Sequence, residues 1–94
     1  MSILTVFDLS SMTSDRYDEA VRGLEVAGQG KPQGRLHHVA GIKEDGSIIV
    51  VDVWDSAESL AAFGETMIPT LQEAGVSPVE PDVYPVHNVI AGSE

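Results

Sequence analysis

Asp52 stands where an acid is costly. It interrupts the apolar run Ile48-Ile49-Val50-Val51-Asp52-Val53-Trp54, and an unpaired carboxylate inside a sheet costs several kcal/mol or gives up its charge. Two readings follow. In a dry pocket, such a carboxylate is a general base that takes a proton from a substrate hydroxyl or an activated C–H. In a packed core, it is a structural acid paired with Arg16, Arg35 or a tyrosine hydroxyl.

His37 and His38 are the second feature. Neighbours on a strand point to opposite faces, so they cannot chelate one metal together, and one of them shares the face of Asp52. A His–Asp pair orients an imidazole for acid–base work, while a lone strand histidine also serves as a satisfied core or interface residue. A two-residue turn at Asp45-Gly46 pairs residues whose numbers sum to 91, which sets His37 opposite Trp54 and diagonal to Asp52. A turn one residue longer puts His38 beside Trp54 instead. His37 with Asp52 is the first expectation and His38 with Asp52 the alternative.

The remaining candidates are walls. Trp54 either stacks on a flat ligand or closes the sheet end against a helix. Tyr17, Leu24, Phe63 and Met67 recur at helical spacing and form core, or the sides of a cavity if one exists. His87, Asn88 and Tyr84 lie on the last strand, where pocket and interface are both open to them. No Gly-rich phosphate loop, His-Glu-x-x-His pair, Ser-centred elbow or calcium-loop spacing occurs, so neither a metal nor a cofactor is expected.

The elements that position these residues are legible. Ile3 to Leu9 is β-branched and aromatic, as in a strand. Thr13 or Ser14 caps a first helix that stops at Gly28. Residues 35–42 and 47–54 flank Asp45-Gly46, a strong hairpin signal. Asp55 or Ser56 caps a second helix, which kinks or restarts at Pro69 and ends at Gly75. Ser77 to Asp82 is a Pro-rich connection, and Val83 to Ile90 is a last strand whose Pro85 suits an edge. The order βαββαβ closes most simply as a ferredoxin-like antiparallel sheet, strand order 4-1-3-2, in one domain over residues 1–94.

Two helices cover only one face of that sheet, yet strand 3 is aliphatic on both: Ile49, Val51 and Val53 point one way, Ile48, Val50, Asp52 and Trp54 the other. A second copy packed sheet to sheet answers this, so a homodimer is expected.

The segment from Val51 to Phe63, about a seventh of the chain, resembles the strand-3-to-helix-2 junction of the dimeric α+β barrel superfamily. Within it the likeness is to the antibiotic-biosynthesis-monooxygenase-like domains: a carboxylate two residues before an aromatic, an acid-Ser helix cap, then apolar helix positions. The resemblance implies a dimeric barrel and, among its activities, cofactor-independent oxygenation, cyclisation or isomerisation of aromatic or polyketide-like molecules. The superfamily also includes members with no known activity, and the alternative reading of this chain is a non-catalytic dimeric small-molecule-binding or stress-associated protein. Many monooxygenase-like members carry a His where this chain has Phe63. The haem-degrading pattern of a strand-1 Asn with a Trp and a His on helix 2 is absent, because strand 1 offers Asp8 and residues 57–75 hold neither Trp nor His.

Composition narrows the partners. The 94 residues carry 15 acids, 5 bases and no cysteine, for a formal charge of −10. All five bases precede residue 44, and residues 44–94 hold ten acids without a Lys or Arg. That balance argues against nucleic acid and against an anionic membrane surface. No apolar run approaches the roughly 20 residues of a membrane span. The absence of cysteine removes thiolate chemistry and suits a cytoplasmic setting. The expected ligand is a neutral or cationic hydrophobic or aromatic small molecule, the net charge disfavouring an anionic one.

Overall fold

The computed structural model describes residues 1–73, 75–77 and 79–92. Its elements are β1 (Ile3–Leu9), α1 (Ser14–Val26), β2 (Arg35–Ile42), β3 (Ile48–Trp54), α2 (Ala57–Glu73) and β4 (Asp82–Pro85). They form a four-stranded antiparallel sheet in the order β2-β3-β1-β4, the ferredoxin-like arrangement expected from the sequence.

Local chemistry sets the element ends. Thr13 caps α1, its hydroxyl accepting from the Arg16 amide at 3.3 Å. The Ser56 hydroxyl accepts from the Ser59 amide at the start of α2. Both helices finish with paired backbone bonds, Gln29 to Leu24 with Gly28 to Glu25, and Val76 to Leu71 with Gly75 to Gln72. These satisfy carbonyls that a helix end otherwise leaves open.

Three expectations are corrected. Helix α2 continues through Pro69, which excludes the restart, one of the two outcomes expected there. Proline removes one donor to the carbonyl of Glu65, and that residue is exposed, where water can replace the bond. Strand β4 ends at Pro85, not Ile90, because its pairing with β1 runs out where Ile3 meets Pro85. The β2–β3 turn is one residue longer than two. The Lys43 amide donates to the Ser47 carbonyl at 2.8 Å and the Gly46 amide to the Lys43 carbonyl at 2.9 Å, with Gly46 at φ +86°. That is a three-residue hairpin whose last residue needs the left-handed region. Of the Pro-rich connection before β4, Pro78 lies outside the described residues.

One sheet face is the core. Ile3, Phe7, Ile48, Val50 and Trp54 are buried beneath Ala20 and Phe63 of the helices, with Met12 from the β1–α1 loop. Leu60 packs against both halves of this core. The other face carries Leu4, Val6, Val39, Ile49, Val51, Val53 and Tyr84. Val39 there is 62% exposed and Tyr84 52% exposed. No helix among the described residues is long and apolar enough to cross a membrane.

Candidate functional site

The longer hairpin turn decides which histidine meets the acid. Its register sets His38 opposite Asp52 and His37 opposite Val53; Arg35, and not His38 as expected for a turn one residue longer, lies opposite Trp54. His37 therefore sits on the outer face, exposed, and the expected pairing of His37 with Asp52 is corrected to His38.

Asp52 is 4% exposed. Its Oδ1 lies 2.6 Å from His38 Nδ1, and His38 Nε2 lies 2.6 Å from the Tyr17 hydroxyl. The Tyr17 and His38 rings are nearly parallel, 6° apart in plane with centroids at 6.1 Å. A carboxylate can only accept, so Nδ1 carries the proton; a neutral ring then leaves Nε2 to accept from Tyr17. Three residues distant in sequence thus make one hydrogen-bonded chain from a buried acid to a phenol. Burial pushes the Tyr17 phenol above its ordinary value; the Arg35 charge opposes this, and the charges of Asp52 and Asp18 reinforce it. The expected structural alternative of an Asp52–arginine pair is not what forms.

This chain borders a cavity of about 690 Å³ between the sheet and the helices. Tyr17, His38 and Asp52 line it, with Phe63 and Met67 of α2 and Arg35 of β2. The rest of the wall is mostly apolar, and the loops around Gln29 and Glu80 contribute to it. Its size is in the range of small-molecule sites.

Other candidates lie elsewhere. Trp54 is fully buried, packed against Ile3 and Phe63 with its ring centroid 5.5 Å from that of Phe63, behind the cavity wall and not on it. His87 lies beyond the end of β4, exposed and away from the cavity. Two buried polar atoms, Thr5 Oγ1 and Trp54 Nε1, have no hydrogen-bond partner among the described residues. Thr5 is paired with Asp52 across β1 and β3.

Arg35 was weighed in sequence only as a counter-ion, and its true place depends on a local irregularity. The β2–β3 ladder shifts between Arg35 and His37, so that Arg35 faces Trp54 while His38 faces Asp52. Strict alternation would put residues 35 and 38 on opposite faces; a bulge at Leu36 puts both on the helix side. The guanidinium donates to the Gly30 carbonyl at 3.1 Å and sits 5.6 Å from the centroid of the Phe63 ring. Among the described residues, no group of three or more His, Asp or Glu side chains is placed to hold a metal ion.

With this geometry in view, the fold is that of the antibiotic-biosynthesis-monooxygenase-like proteins. The chain is similar to Rv0793 from Mycobacterium tuberculosis, with 10% identity, 96% of this chain and 97% of that one covered, and a TM-score of 0.63. It is similar to SnoaB, a cofactor-independent oxygenase from Streptomyces nogalater, at 14% identity over 97% and 96% of the chains with a TM-score of 0.61. A Chloroflexus aurantiacus protein, provisionally described as an antibiotic biosynthesis monooxygenase, shares 23% identity over 97% of both chains at a TM-score of 0.54. No protein-family model and no curated protein matches the sequence.

Proposed function

We propose that this protein is a cofactor-independent enzyme acting on an aromatic or polyketide-like small molecule, with the Tyr17–His38–Asp52 chain as its acid–base machinery. The observation that carries this reading is two consecutive 2.6 Å hydrogen bonds, from a buried carboxylate through an imidazole to a phenol, at the wall of an apolar cavity. Asp52 is then the orienting group and not the base itself. As a substrate O–H or activated C–H bond breaks, its proton goes to the Tyr17 oxygen while the Tyr17 proton goes to His38 Nε2. The resulting imidazolium is held by Asp52, and the electron pair stays on the substrate. Placing the acceptor in this chain supplies general-base catalysis, on the order of 10²–10⁴-fold. The substrate anion then isomerises, cyclises or meets dioxygen. With dioxygen as oxidant, an activated CH₂ becomes a carbonyl and the second oxygen leaves as water.

The apolar outer face of the sheet supports a second copy packed against it, giving a homodimer. The cavity lies on the opposite, helical face of the same sheet, so each copy keeps its own complete set of Tyr17, His38 and Asp52.

Turnover of aromatic quinols and enolisable polyketide-like compounds, without added cofactor, tests the reading. The expected result is turnover by the wild type and its loss in Asp52→Asn. Binding of these compounds with no turnover of any of them would make the protein a non-catalytic carrier, and unchanged turnover in Asp52→Asn would remove the proton chain from the account.

A further inference from the structure

The cavity contains one feature that proton abstraction does not by itself require: a cation. Among the described residues lining it, Arg35 is the one Lys or Arg, and no carboxylate among them lies within ion-pair distance of its guanidinium. The acid nearest the reacting end, Asp52, is engaged with His38. A half-buried charge without a counter-ion, in a wall that is otherwise mostly apolar, is costly unless a ligand completes it. The cation is also fixed in place. The Gly30 carbonyl and the Phe63 ring hold the guanidinium from two sides, and the fork has further donors to offer. Its charge reaches the Tyr17 hydroxyl, whose ionisation it favours. The bulge at Leu36 is what turns this side chain to the face of the acid–base chain, and bulges recur beside active sites because they re-aim a side chain.

We infer that Arg35 binds an anionic oxygen of the ligand, so that the cavity selects an acidic phenol or an enolised 1,3-dicarbonyl carrying its ionised oxygen against the guanidinium. This rests on the reading of the cavity as a site for aromatic or polyketide-like molecules and narrows that class to compounds with an ionisable hydroxyl. The overall charge of −10 favours entry of the ligand in its neutral form. The ligand enters neutral, loses its proton to the Tyr17–His38 pair, and the negative charge develops opposite the cation, in a mostly apolar wall where such a contact is stronger than in water.

The test uses two probes of nearly the same shape, p-nitrophenol and p-nitroanisole, titrated by absorbance above the pH at which the free phenol ionises. The wild type is expected to bind the nitrophenolate about 10-fold more tightly than the methyl ether. Arg35→Gln is expected to bring that ratio to about one with affinity for the ether unchanged, which also shows the cavity intact. Arg35→Lys is expected to keep part of the preference, and Tyr17→Phe to keep most of it. A wild-type ratio near one, or a preference that survives Arg35→Gln, would overturn the role of Arg35 while leaving the cavity reading in place. Failure of the wild type to bind either probe would overturn both.

Discussion

At the scale of single residues, the site turns on how a buried carboxylate is satisfied. Asp52 is accounted for by one imidazole, and that imidazole by one phenol, so each group fixes the orientation of the next. The sequence made Asp52 conspicuous, because an acid among aliphatic strand residues has few explanations. It did not make Arg35 conspicuous, because the face of residue 35 follows from a bulge that no residue pattern announces. Two predictions belong here. Burial raises the Tyr17 phenol, which favours the neutral form in the folded protein. Its contribution to stability is therefore present below the ordinary tyrosine value near 10 and is lost as pH rises through the higher folded one. The tyrosinate absorbance of the wild type minus that of Tyr17→Phe is expected to show a midpoint above that ordinary value; a midpoint at or below it would contradict the buried placement. Thr5→Val removes a buried hydroxyl that has no partner among the described residues. It is expected to stabilise the fold by about 1 kcal/mol in denaturant unfolding, whereas a loss of stability would show that the hydroxyl is bonded.

At the scale of elements, the hairpin and the loop before β2 place the site. The Asp-Gly signal located the turn but left its length open, and one residue of turn separates a site built on His37 from one built on His38. The strand order and the two helices were readable from apolar spacing and caps; the early end of β4 and the passage of α2 through Pro69 were not, since both follow from tertiary pairing and solvent exposure. Gly34 supports the entry to β2. It has φ +89°, its carbonyl accepts from the Asp55 amide at 2.8 Å, and a Cβ there would collide with the Ser59 side chain and come within 2.7 Å of Asp55 Oδ1. Gly46 has a similar φ of +86° with open space around it. Gly34→Ala is expected to cost more than the roughly 1 kcal/mol that the backbone change alone costs at Gly46→Ala. Equal losses in a denaturant comparison would show that the packing against α2 gives way freely.

For the whole molecule, the ten acids after residue 43 divide into two kinds. Most of the described ones lie exposed on turns and helix faces, among them Glu44, Glu58, Glu65 and Glu73, while among the described residues Asp52 alone of them is buried. The charge asymmetry of the sequence is therefore chiefly a solvated surface with one acid withdrawn from it. The apolar outer sheet face is the other whole-molecule feature. In the proposed dimer it is covered, and light scattering at micromolar concentration is expected to give twice the 10.0 kDa of one chain. Val51→Glu, in the middle of that face, is expected to shift the protein to monomer. A wild-type monomer would leave the sheet face to some other covering.

The central claim is that His38, held by Asp52, receives the proton through Tyr17. Steady-state kinetics of His38→Gln on a quinol that the wild type turns over, without added cofactor, test it most directly. The account predicts a fall in kcat of about 10²-fold or more with KM little changed, because the imidazole acts in the transition state and the cavity walls bind the substrate. A variant that keeps wild-type kcat would contradict it.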